Sequence, residues 1–425
     1  MKIHSAFGVL MISELLLNSG FMIGNLTLPW WIARSGGVGD LIIIGVSMAA
    51  SAFLTACLLG PLSDRYPKKT VLLTGTLLYF FGSFGLAFFA SYSGYQLSYL
   101  LLFSALITVS TTLLQPCISS LIPELLPTDK IHLGIAIQKY VESFARVAAP
   151  GMGGLLLVWA SESVAFWVQF AMAGLSIAVI TIFFNPIYRL KRQIASSFFQ
   201  DLLQGVKVSW SVPVEKYWTL VNFSVAICLI PTITLLLPLK IQAVRLDALW
   251  FGACEIAFAI GTFIGIALAS IKFINRCARI WLLVLSGVVQ GVVIMIPGVT
   301  QNGLLLLCVF FLYGIFSNFF IMVGVTHRLL ARPESFRGRM SSVAMVTMQI
   351  ANMVSPLIAG TLILYVSIDM AYLIFGLLVV LLCLLYFLIP GLQKLLNLPI
   401  LQVNNWYEKQ YPHVFTSIKS VDSRR

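Results

Sequence analysis

Twelve stretches of roughly twenty or more apolar residues, each long enough to cross a hydrocarbon core, take up nearly all of this chain. They run about 6–31, 41–62, 71–90, 97–122, 133–159, 163–185, 217–239, 248–271, 280–300, 303–326, 340–366 and 370–390. Inside a bilayer every backbone amide and carbonyl must find its partner within the protein, so segments of this length are expected to be helices. Composition agrees: 59% of residues are hydrophobic and 10% charged, well outside the range of a soluble domain. The expectation is an all-α membrane protein with twelve transmembrane helices and little left over for a soluble domain.

A net charge of +12 invites a nucleic-acid reading, but the positions of the basic residues argue against it. With a cytoplasmic N-terminus, all but five of the 27 lysines and arginines fall on the cytoplasmic side, in clusters such as Arg65/Lys68/Lys69 and Arg328/Arg332/Arg337/Arg339. Arg34, Lys240 and Arg245 lie outside, and Lys139 and Arg146 lie within a span. The positive-inside rule therefore places both termini in the cytoplasm of a multi-pass inner-membrane protein, and the charge is topology. Glu14 interrupts the first span, which runs too long for a cleavable signal and is followed by Trp30-Trp31 rather than a small-x-small site. Trp30, Trp31 and Trp250 near the outer boundaries read as interfacial anchors. Seven scattered cysteines, with no C-x-x-C and no nearby histidine, read as small apolar residues, so neither a metal nor a cofactor is expected.

The chain repeats itself. Asp40 and Gly45 entering the second span match Asp247 and Gly252 entering the eighth, 207 residues on, and Pro150-x-x-x-Gly154 matches Pro356-x-x-x-Gly360 at 206. The division expected is 1–185 as an N-terminal six-helix bundle, 186–216 as a cytoplasmic linker, 217–390 as a C-terminal six-helix bundle and 391–425 as a cytoplasmic tail. The Phe198-Phe199-x-x-Leu202-Leu203 segment suggests an amphipathic stretch at the membrane surface.

Between the second and third spans stands Gly60-Pro61-Leu62-Ser63-Asp64-Arg65-Tyr66-Pro67-Lys68-Lys69-Thr70. This resembles the loop signature of the major facilitator superfamily, Gly-x-x-x-Asp-Arg-x-Gly-Arg-Lys, with Pro67 in place of the second glycine. The resemblance implies the major facilitator fold, two pseudo-symmetric six-helix bundles with a substrate site near the midplane. It also implies a conformational latch at Gly60, Asp64, Arg65, Lys68 and Lys69, with Arg337 and Arg339 as the equivalent in the second half. The second-half loop, 268–279, has lost the glycine and the aspartate, so any ionic latch is mainly a device of the first half.

Three further segments are similar to the drug:proton antiporter branch that holds macrolide efflux pumps and an enterobactin exporter. They are Gln115-Pro116 with Pro123-Glu124-Leu125-Leu126-Pro127, Ala149-Pro150-Gly151-Met152-Gly153-Gly154, and Arg337-Gly338-Arg339 with Pro356 and Gly360. Pro150, Gly151, Gly153 and Gly154 leave the fifth helix thin enough for a neighbour to pack closely; in that branch the motif accompanies export. Small residues there also serve packing alone.

Ionisable groups inside spans are costly and mark function by default. Lys139, Glu142 and Arg146 follow i, i+3, i+7 on one face of the fifth span, and Glu142–Arg146 has the i,i+4 spacing of an ion pair. Glu142 lies on the order of 14 Å from the start of its span, near the midplane. Arg146 and Lys139 could take an anionic group of the substrate while Glu142 exchanges a proton; equally, the pair could neutralise itself and fix packing. Glu14, with Asn18 one turn on and Asn25 two turns further, is expected to line the same cavity and is the second candidate for the proton. Glu255 is expected to hydrate or to pair with Lys240 or Arg245. Gln115, Asn222, Gln349 and Asn352 are uncharged candidates for cavity lining or interhelical hydrogen bonds.

Together these point to a monomeric, proton-coupled exporter of an amphipathic small molecule, a siderophore or a macrolide-like drug. The alternatives are a lysophospholipid or other lipid transporter and proton-symport uptake of a small metabolite or siderophore. No G-x-S-x-G, H-E-x-x-H, C-x-x-C or P-loop is present, and the four histidines sit at or near span ends, so no catalysis is expected.

Overall fold

The computed structural model describes residues 2–58, 67–127, 130–183, 198–269, 279–398 and 400–415. In chain order the helices are α1 (Lys2–Ser35), α2 (Gly37–Leu58), α3 (Lys68–Tyr92), α4 (Leu97–Leu125), α5 (Ile131–Trp159), α6 (Glu162–Phe183), α7 (Phe198–Ser211), α8 (Pro213–Thr234) and α9 (Leu236–Ala243). They continue with α10 (Ala248–Ala269), α11 (Arg279–Met295), α12 (Gly303–Ala331), α13 (Glu334–Tyr365), α14 (Ile368–Leu384), α15 (Leu392–Asn397), α16 (Ile400–Val403) and α17 (Trp406–Gln410). Among the described residues no strand occurs, and twelve helices are long and apolar enough to cross a membrane.

The chain forms two compact units. The first comprises Met1–Ala195 with Leu237–Ala259, the second Ser196–Leu236 with Ile260–Arg425. Within the first, α1 packs on α5 and α6, and α3 packs on α4 and α6. Within the second, α8 packs on α13 and α14, and α11 packs on α12 and α14. The same pairing therefore recurs six spans apart, which is the sequence repeat expressed as packing, and the fold is two pseudo-symmetric six-helix bundles.

Small residues set the close approaches. A Cβ at Gly291 would stand 2.7 Å from the Gly376 carbonyl oxygen, so α11 and α14 touch backbone to backbone. At Gly82 it would meet Ile107 at 2.8 Å, which seats α3 on α4. Such contacts hold helices together where lipid offers no hydrophobic drive between them.

Trp30 and Trp31 depart from the interfacial role expected of them. Both are buried, Trp30 stacked on Phe251 at 6.1 Å and Trp31 edge-on to Tyr95 at 5.6 Å. Phe251 covers Trp30, and Tyr95 with Phe166 covers Trp31, so both rings pack between helices.

Residues 391–398 and 400–415 are built into the second unit. Gly391 and Asn405 take left-handed backbone (φ 81° and 56°) and turn the chain into α15 and α17. Leu392, Leu395, Leu396, Val403, Tyr407 and Phe415 are buried. Arg279 donates to the Leu396 and Leu398 carbonyls at 3.1 and 2.9 Å, and the Asn405 amide donates to Leu330. Preceding the bundle, α7 buries Val208 and lies against α13, while Leu203, Val206 and Trp210 (i, i+3, i+7) form an exposed apolar stripe.

Candidate functional site

In the first unit the ionisable residues of α5 gather with α1 and α4. Glu142 accepts from Lys139 through Oε2 at 2.7 Å and from the Gln115 amide through Oε1 at 3.2 Å. The i,i+4 partner expected for Glu142 was Arg146; the structure places the i,i−3 lysine there instead. Both spacings put a cation beside the carboxylate, and Gln115 on α4 decides between them by holding the second oxygen. Arg146 is exposed, and its charge reaches Glu255 on α10. Glu255 itself is half-buried.

Glu14 is buried, 2% exposed, and its Oε1 accepts from the Gln138 amide at 3.0 Å. No hydrogen bond among the described residues reaches its Oε2. Gln138, itself buried, was missed in the sequence, where its neighbour Lys139 drew attention; an amide inside an apolar span was the available signal. The charges of Glu142 and Lys139 also act on Glu14, so the three form one cluster.

The polar stripe expected along α1 divides. Asn25 lines a separate small cavity of about 20 Å³ with Gly24 and Gln169, Glu14 faces α5, and Asn18 is half-buried between them. Helix pitch explains the separation: Asn25 is three turns from Glu14, and its cavity is walled by α2, α3, α4 and α6 rather than by α5.

The Pro150–Gly154 segment stays helical and presses α5 into two neighbours. A Cβ at Gly154 would lie 3.3 Å from the Ala248 carbonyl and 3.5 Å from Gly252 Cα on α10; at Gly153 it would meet Leu26 on α1 at 3.1 Å; at Gly151 it would meet Ile256 at 2.7 Å. Pro356 and Gly360 are likewise buried in α13.

Of the latch residues, Gly60, Asp64 and Arg65 lie outside the described residues. Lys68 donates to Glu124 at 2.5 Å and to the Ser120 carbonyl at 3.2 Å, joining the start of α3, where Lys69 follows it, to the end of α4. Arg337 donates to the Arg332 carbonyl and to Asn404, and Arg339 lies over the Phe336 ring at 5.5 Å. Both anchor the second unit's own chain.

The second unit holds a constellation that sequence reasoning assigned to linker and topology. The buried Glu215 carboxylate on α8 accepts from Arg328 at 2.6 Å, from Arg332 at 2.9 Å and from the Tyr407 hydroxyl at 2.8 Å. Burial, and then the Glu215 charge, hold the Tyr407 hydroxyl well above the ordinary tyrosine range, so it remains the donor. The available signals were an acid just after Pro213 at a helix start and two arginines at i,i+4. Beside this network opens a cavity of about 700 Å³, lined by α8, α11, α12 and α13. Asn352, which donates to Gln349 at 3.0 Å, and Asn222 line it.

The description "Major Facilitator Superfamily" matches residues 10–332 and again residues 256–400. The chain belongs to the major facilitator superfamily. This superfamily transporter is similar in fold to several solved structures. A mutant of the nucleoside transporter NupG shares 13% identity at TM-score 0.74, over 91% of this chain and 100% of that one. A D-xylose-proton symporter shares 14% identity at TM-score 0.74, over 93% and 99%. A mutant of the peptide transporter POT shares 15% identity at TM-score 0.69, over 92% and 95%. No curated protein sequence matches the transporter. As a multi-pass member of this superfamily it moves a small molecule across a membrane.

Proposed function

We propose that the protein is a proton-coupled exporter of an amphipathic small molecule, a siderophore or a drug of macrolide type. It works as a monomer in the inner membrane with both termini cytoplasmic. The observation that carries the coupling is the cluster of Glu14, Gln138, Lys139, Glu142 and Gln115 inside otherwise apolar helices. Glu14 carries the proton. It is buried with a neutral amide as its hydrogen-bond partner, whereas Lys139 pairs with Glu142, and an ionisable group so placed inside an apolar span is costly and marks function. Lys139 and Glu142 separate and rejoin as the cluster meets one face of the membrane and then the other, and Arg146, exposed on the same helix, meets an anionic group of the solute. The similarity of Ala149–Gly154 and of the Gln115–Pro127 region to the drug:proton antiporter branch supports export.

Inverted membrane vesicles acidified inside and reporting internal pH by quenching of an acridine dye test this. Addition of a transported solute should drive proton exit and relieve the quench. Uptake by proton symport is the second reading, supported by the likeness in fold to a D-xylose-proton symporter; it gives no relief under the same conditions.

A further inference from the structure

The 700 Å³ cavity of the second unit is within the range of small-molecule sites, about 300–1,000 Å³. Its walls are mostly apolar, with Val225, Leu229 and Ile233 along α8 and Phe320 on α12. Asn222, Gln290 and Asn352 add neutral hydrogen-bonding groups. Among the described residues Arg328 and Arg332 are the charged ones that line it, and no aspartate, glutamate or lysine does.

The charge at that end does not cancel. Two buried guanidinium groups share one carboxylate, Glu215, and the third partner, Tyr407, is a neutral donor. Arg332 directs Nε and Nη2 to Glu215 and Nη1 to the Ser341 hydroxyl at 3.1 Å, so each of its three nitrogens has a protein partner. Arg328 directs Nε and Nη2 to Glu215 and lies over the Trp218 ring at 4.4 Å, and no hydrogen bond among the described residues leaves its Nη1. A buried excess of one positive charge beside an apolar cavity is unfavourable alone and is relieved by an anion with an apolar body. A cationic solute, a basic macrolide included, would meet repulsion there and a neutral one would leave the guanidinium unmet, which favours the acidic, siderophore-like cargo of the two proposed.

We infer that this cavity binds an amphipathic organic anion. Its carboxylate, sulfonate or phosphate meets Arg328 beside Trp218, and its apolar body lies along α8 and α12. The inference rests on the transporter reading and names its substrate class from the second unit, independently of the α5 cluster.

The test is equilibrium binding to the purified full-length protein in lipid nanodiscs, with empty discs subtracted. The probes are 1-anilinonaphthalene-8-sulfonate and the uncharged N-phenyl-1-naphthylamine, which share a ring system and differ in the sulfonate. The anion should bind saturably and about tenfold or more tightly than the neutral probe, the scale of one charge-assisted hydrogen bond. Arg328→Gln should erase that difference. Ala344→Trp, which sets a large ring into the cavity from α13, should abolish saturable binding of the anion. Equal affinity for the two probes in the wild-type protein, or unchanged anion binding in Ala344→Trp, overturns the inference, and both readings stand even if Arg328→Gln fails to fold. Equal affinities alongside intact proton-coupled transport sink this inference alone; sulfonate-selective binding with transport indifferent to protons sinks only the coupling.

Discussion

Glu215 and Arg328, 113 residues apart, meet through two hydrogen bonds, Arg328 Nη2 to Oε2 at 2.6 Å and Nε to Oε1 at 3.2 Å, both side chains almost wholly buried. Breaking one side of a buried pair leaves a charge unmatched and costs about 3–5 kcal/mol. Glu215→Ala should therefore lower the stability of the purified protein by that order in thermal unfolding. Tyr407→Phe removes one neutral donor and should cost about 1 kcal/mol; equal losses in the two variants would show that the carboxylate does not organise this end.

The crossing of α5 and α10 depends on the absence of side chains. A Cβ at Gly252 would lie 2.6 Å from the Pro150 carbonyl oxygen and 3.3 Å from Gly154 Cα, so Gly252→Ala must push two backbones apart. Overpacking of this kind costs about 1–3 kcal/mol. Gly338→Ala meets nothing within 4 Å and should be neutral or stabilising by about 0.5–1 kcal/mol in its helix. Melting temperatures of the two variants, measured side by side, check the contrast.

Acid should loosen the packing of residues 391–398 and 400–415. Burial first, and then the Arg279 guanidinium, lower the His327 imidazole from its ordinary value of 6.5, and the neutral ring accepts from Arg279 Nη1 at 2.6 Å. The folded state thus binds fewer protons than the unfolded one in that window, so stability is complete above about pH 6.5 and declines as pH falls below it. Melting curves between pH 8 and 5 should show that decline in the wild type and a flatter one in His327→Gln.

Lys68 and Glu124 make a closer ion pair, at 2.5 Å, but Glu124 is half-exposed. Solvent screening keeps such pairs at about 0–1 kcal/mol. Glu124→Gln should change the melting temperature little, and a large drop would mean that the pair closes a structural seam between α3 and α4.

Spans, repeat and close-packing glycines were legible because each is written in local pattern. Periodicity could not choose a partner for Glu142, because Lys139 and Arg146 occupy equivalent positions on the same face and the deciding group, Gln115, lies on another helix. Glu215 read as linker and Arg328 and Arg332 as topological charge because their meeting is set by tertiary packing, as is the return of Tyr407 from 192 residues away. The burial of Trp30 and Trp31 was hidden for the same reason: a helix end shows whether an aromatic is available, not what will cover it.

Proton coupling through Glu14 is the central claim, and proton exit from acidified inverted vesicles on addition of a transported amphipathic anion measures it most directly. Wild-type protein should relieve the acridine quench and Glu14→Gln should not, while still binding the anion in nanodiscs. Solute-driven proton exit at the wild-type rate in Glu14→Gln would contradict the account.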